Sequence, residues 1–193
     1  MGREIWLYGG LSLAIYILAF NWAMQLTSAS HVALYLGASP VWALVWEERP
    51  ARSWRSLQRY GAALLAVSGV VVLVWPTLKL GTTHLYGELL GVTGSLMWAN
   101  YGRQARRLTS RLSGAEVSAH TMWRAGVWLL PLAVGEIIYH HGLVWRTDLV
   151  LVQTYCFVGG GVCAYALWNN ALTHWPTSRV FLFNNLIPLS TMT

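Results

Sequence analysis

Seven apolar stretches, each near the roughly 20 residues a helix needs to cross a hydrocarbon core, divide this 193-residue chain and leave little for a water-facing surface. They run at 5–25, 28–46, 56–75, 88–106, 114–139, 149–172 and 177–193. Charged residues make up 10% of the chain, against about 25% in an ordinary soluble domain. The pattern predicts an all-α, polytopic membrane bundle of seven transmembrane helices. Pro76 closes the third stretch, because its ring cannot continue a helix far. Ser113 and Glu116 open the fifth in the S-x-x-E spacing, which satisfies orphan N–H groups of a first turn. The first stretch lacks an A-x-A-like exit and runs toward another span, so it does not read as a cleavable signal. Cys156 and Cys163 lie two helical turns apart, too far to bridge, and read as packing residues.

A formal charge of +6 raises the question of nucleic acid, and the positions of the charges answer it. Successive loops of a polytopic protein alternate sides. One side holds Arg3, Arg49, Arg52, Arg55, Arg59, Arg103, Arg106, Arg107, Arg111 and Arg179; the other holds Lys79 and Arg146. By the positive-inside rule the first side, with the N-terminus and the loops after the second and fourth stretches, is cytoplasmic. The basic excess is thus a topology signal, and no nucleic-acid partner is expected.

Pro40 and Pro188 are 148 residues apart, and the same offset carries Asn21 onto Asn169, Ala23 onto Ala171, Ser30 onto Ser178, Val32 onto Val180 and Leu34 onto Leu182. If stretches one and two recur as six and seven, the repeat advances by five helices. An odd advance turns the second copy upside down, an arrangement common in secondary transporters. The arithmetic implies five plus five helices. The chain is therefore expected to be an internal fragment or an incomplete gene, with 1–76 as the end of one repeat and 77–193 as the start of the next.

Residues also carry a family likeness. Asn21-Trp-Ala-Met-Gln-Leu-Thr-Ser-Ala-Ser30, then Ala38-Ser-Pro-Val-Trp42 and Glu47-Glu-Arg-Pro50, resembles the core of EamA-type repeats of the drug/metabolite transporter superfamily. Gly61–Val70 looks like a closing helix, Gly87-Glu-Leu-Leu-Gly91 through Tyr101 and Arg107 like the opening helix of a second repeat, and Trp168–Leu172 with Pro188 like the first pattern again. The resemblance covers family helices three to nine of ten. It implies a carrier of metabolites, amino acids or amphiphilic compounds across the plasma (inner) membrane, often an exporter, with a lipid bilayer and a small molecule as partners and no cofactor.

Arg124 is the one formal charge this reading leaves near mid-membrane. It lies 11 residues past Ser113, about 16 Å into a core of roughly 30 Å at ~1.5 Å per residue. Such an arginine snorkels, meets polar partners, or faces substrate. Trp98, Asn100 and Tyr101, Trp168 and Asn169, and Asn184 and Asn185 recur at similar depth as candidate cavity lining, although any single amide more often glues helices together. His31, Tyr35, Ser39 and Trp42 form one stripe at helical spacing. Tyr35 and Trp42 join the candidate lining, while such stripes more often pack than bind. Pro40 and Pro188 are hinge candidates.

Small residues at Gly87, Gly91, Ser95 and Ala99, and at Ala62, Ala66 and Gly69, allow close helix approach within the bundle or, less favoured, in a homodimer. Every carboxylate, Glu88 included, falls at or near a stretch end, so no buried proton relay is expected. The histidines lack metal-site spacing, and Gly159–Gly161 reads as tight helix packing and not as a phosphate loop. A secondary carrier is therefore expected, and no enzyme activity. The alternative is a non-transporting membrane protein, such as an enzyme on lipid-linked substrates or an inactive fragment; for the enzyme, the loops offer mainly arginines.

Overall fold

A computed structural model describes residues 2–47, 52–75, 82–139, 142 and 145–186, and among them every regular element is helical. The helices are α1 (Ile5–Leu26), α2 (Ala29–Gly37), α3 (Ser39–Glu47), α4 (Trp54–Val74), α5 (Thr82–Leu108), α6 (Gly114–Tyr139), α7 (Thr147–His174) and α8 (Thr177–Phe181), which runs into a 3-10 turn at Leu182–Asn185. By length and apolarity alone α1 and α7 could cross a membrane among the described residues.

Local chemistry explains the boundaries. Ser28 accepts the His31 N–H and starts α2. Ser53 does the same for Ser56 at α4. The Ser113 hydroxyl accepts the Glu116 N–H at 3.3 Å while the Glu116 carboxylate accepts the Ser113 N–H at 2.8 Å, the reciprocal box expected for α6. The stretch at 28–46 divides into two nine-residue helices. Pro40 has no N–H for the carbonyl four residues back, and Val41 bonds Ala38 instead, closing a tighter turn at 3.0 Å. α5 begins six residues earlier than its apolar stretch suggested. Inside α7 the backbone widens to π geometry over Cys156–Cys163. Gly159 and Gly160 meet nothing within 4 Å among the described residues, and both cysteines are free and exposed. Gly161 meets the Met122 side chain at 3.6 Å, while the expectation of tight packing fails at Gly159 and Gly160, because this half of α7 buries no residue among those described.

Helix boundaries recur. α1 ends at Leu26 and α7 at His174, while α2 starts at Ala29 and α8 at Thr177; both pairs are 148 residues apart.

The chain forms two compact units, Met1–Ala14 with Gln104–Trp175, and Ile15–Arg103 with Pro176–Thr193. In the first, α6 buries Gly114, Val117, Ser118, Thr121 and Ala125. Gly114 lies against the Asn169–Asn170 backbone so closely that no side chain fits. In the second, the small residues of α5 pack inside the unit: Gly87 meets Leu26, Gly91 meets the Tyr35 ring, and Ser95 meets Ser39 and Trp42. On α4, Gly61 and Gly69 meet nothing within 4 Å among the described residues.

Candidate functional site

The centre of the second unit is a carboxylate. Because α5 starts at Thr82, Glu88 lies two turns inside the helix and is 1% exposed. Its Oε1 accepts the Thr27 hydroxyl at 2.8 Å and faces His31 Nδ1 at 2.6 Å, and its Oε2 accepts the Tyr35 hydroxyl. This corrects the expectation that every carboxylate sits at a stretch end: Glu88 is buried, and its partners come from other segments. The stripe of His31, Tyr35, Ser39 and Trp42 is the surface α2 and α3 present to α5. Ser39 and Trp42 both reach the Ser95 hydroxyl, at 3.2 and 3.1 Å.

A second group in this unit is aromatic. Trp98, nearly buried, stacks on Tyr101 with ring centroids 5.5 Å apart, and lies 4.9 Å from Tyr16 and 5.8 Å from Phe181. Asn100 accepts a long 3.4 Å hydrogen bond from Arg103, whose guanidinium also sits over Trp46. Asn184 is buried, and its Nδ2 has no hydrogen-bond partner among the described residues. Glu47, at the end of α3, accepts the Thr177 and Ser178 N–H groups at 3.0 and 3.1 Å and so caps α8. Beside that contact lies a cavity of about 510 Å³ lined by Pro40, Leu44, Arg59, Ala63, Arg179 and Leu182 among others. Pro40 is the sequence candidate that lines it. The Asn185 side chain and Pro188 lie outside the described residues.

In the first unit, Arg124 donates to the His120 carbonyl at 2.7 Å and lies against the rings of Trp123 and Trp6, at 4.4 and 5.3 Å from their centroids. Among the described residues none of its partners is a carboxylate. Two indole faces and a carbonyl of its own helix make a polarisable cradle for a partly buried guanidinium, whose Nε has no hydrogen-bond partner among the described residues. Asn169 is fully buried and donates to Ser118 at 2.8 Å, which ties α7 to α6. Trp168, its neighbour, is half-buried. Among the described residues no group of three or more His, Cys, Asp or Glu side chains could hold a metal ion.

Sequence reasoning missed Glu88 and Glu47. A partial signal for Glu88 was the lead Thr82-Thr-His-Leu-Tyr-Gly87, which contains no proline before the apolar window and allows the helix to begin earlier.

The EamA-like transporter family matches residues 85–193, more than half of the chain. The chain belongs to the EamA-like transporter family. It is also similar to a protein named "Uncharacterized transporter" from Archaeoglobus fulgidus, with 22% identity over 184 residues, covering 94% of this chain. The chain spans 63% of that relative's length. No solved structure matches it. EamA is a family of membrane-embedded transporters, and the relative's printed name is also that of a transporter. The bare apolar surface of α7 is consistent with that setting. The EamA match takes in Glu88 and, of the aromatic group, Trp98, Tyr101 and Phe181; the relative's match covers 94% of the chain.

Proposed function

We propose that this chain is the larger part of a secondary carrier that exports metabolites, amino acids or amphiphilic drugs across the plasma membrane by alternating access. Residues 1–76 supply the last three helices of one five-helix repeat, and 77–193 the first four of an inverted second. The N-terminus and the loops after α3 and α5 face the cytoplasm. The observation that carries this reading is the 148-residue recurrence of helix ends at Leu26 and His174 and helix starts at Ala29 and Thr177. It coincides with the offset of Pro40 and Pro188, and interrupted helices at matching positions of two repeats mark transporter binding sites. Tyr35, Trp42, Trp98, Asn100, Tyr101 and Asn184 are the candidate substrate contacts of the second unit; Arg124, Trp168 and Asn169 are those of the first. Pro40 is a hinge candidate.

Proteoliposomes containing the protein, preloaded with labelled amino acids, organic anions and amphiphilic cations, test the reading. At least one solute should leave faster than from protein-free vesicles. If every solute leaves both at the same rate, the carrier reading fails.

A further inference from the structure

Glu88 is a buried carboxylate whose three partners are all side chains, and a tight helix junction needs no ionisable group there. Thr27 and Tyr35 are uncharged donors at neutral pH. Among the described residues, the titratable groups facing Glu88 from α2 are His31 and Tyr35, and α1 leads into the uncharged Thr27. α5 itself adds His84 one turn back and Tyr86, both exposed. No lysine or arginine is among its partners. Carboxylate and imidazole are therefore left to settle the charge between themselves at 2.6 Å.

The two differ in access. Glu88 is 1% exposed, while the His31 side chain is 29% exposed. Of the titratable partners, the His31 ring is the one with access to solvent, so a proton from solvent can reach the carboxylate by way of it. We propose that Glu88 and His31 form a proton-binding site, with His31 as the relay and Glu88 as the acceptor. The balance closes with no further reactant. In the unprotonated state the ring carries its hydrogen on Nδ1 and donates it to the ionised Oε1. An incoming proton bonds to Nε2, the Nδ1–H bond breaks, and that proton forms an O–H on Glu88 that donates back to Nδ1. The product is a neutral pair, and burial favours a neutral pair over separated charges.

Protonation also changes packing. The ionised carboxylate accepts from Thr27 and Tyr35 as strong charge-assisted bonds, and the neutral acid holds both less tightly. Tyr35 sits five residues before Pro40 and its ring fills the space left by Gly91, so the contact that weakens is the one locking α2 onto α5. Under the carrier reading above, on which this use of the site rests, the proton is the coupling ion.

Infrared difference spectroscopy of the protein in nanodiscs, acidified from about pH 8 to about pH 5, tests the site without any substrate. One carboxylic-acid carbonyl band should appear, vanish in Glu88→Gln and rise more slowly after a pH jump in His31→Gln. If Glu88→Gln does not fold, Glu88→Asp should shift the frequency of the same band. Spectra in which neither Glu88 variant changes any acid band overturn the site, and an equal rise rate in His31→Gln overturns the relay. In proteoliposomes, efflux of a transported solute should respond to an imposed pH gradient in the unmodified protein and not in Glu88→Gln; an equal response in both overturns coupling at Glu88. Failure of every solute to move sinks the carrier reading instead, and the infrared result stands apart from it.

Discussion

Glu88 and Arg124 are both charged residues well inside a helix, and the chain treats them in opposite ways. Glu88 is sealed, and three side chains from another segment converge on it. Arg124 is partly buried, served by the carbonyl and ring of His120 on its own turn and by two indole faces. A guanidinium on a long stem can reach a wet or polar surface and spread its charge over aromatic rings, so its cost falls without an opposing charge. A carboxylate has a short stem and two oxygens that only accept while ionised, so a buried one must recruit donors. Depth along the sequence therefore says less about function than the number of partners a neighbouring helix supplies.

The sharpest way to break this contrast is to remove Glu88. Glu88→Ala strands the Tyr35 and Thr27 hydroxyls and the His31 ring at the helix contact, and each buried donor left unpaired costs about 1–3 kcal/mol. Thermal unfolding in detergent should show a large fall in midpoint, and limited proteolysis should open the segment between α1 and α3. A fall no larger than that of Arg124→Gln would erase the difference between the two charges.

Gly91→Ala attacks the same contact from the side. A methyl group at 91 would overlap the Tyr35 ring and push its hydroxyl off Glu88. Overpacking of this kind costs about 1–3 kcal/mol. Tyr35→Phe in the Gly91→Ala background should then add little, because the hydrogen bond is already lost; a double-mutant cycle by thermal unfolding checks it, and full additivity would show that the ring and the carboxylate are not coupled. Glu47→Ala is expected to have a smaller effect, about 1 kcal/mol, the usual value of a lost helix cap. Its signature is local: the amides of Thr177 and Ser178 should exchange faster while those of α6 do not change.

Much of this was legible in the chain. Ser113 and Glu116 announced the start of α6, and that helix runs over the span the apolar pattern proposed. Ser28 and Pro40 marked where α2 begins and where it breaks. Those signals are local, carried by residues within one turn of the feature they cause. Glu88 and Glu47 were not legible because their partners are distant in sequence, 53 to 61 residues away for Glu88 and 130 to 131 for Glu47. The π stretch in α7 was equally hidden. A run of apolar and glycine residues fits α and π windings alike.

The smallest expected effect tests the other half of the contrast. Arg124→Gln removes the cation over Trp123 and Trp6 but leaves an amide able to donate to the His120 carbonyl, so the stability change should stay below about 1 kcal/mol. Stability is not the informative readout there. If Arg124 only snorkels, efflux of every solute in the panel should match the unmodified protein. If it faces substrate, efflux of anionic solutes should fall selectively, because the guanidinium supplies the charge that would hold them. A uniform fall across anions, zwitterions and cations would instead mean that the indole cradle shapes the helix, and would remove Arg124 from the candidate substrate contacts.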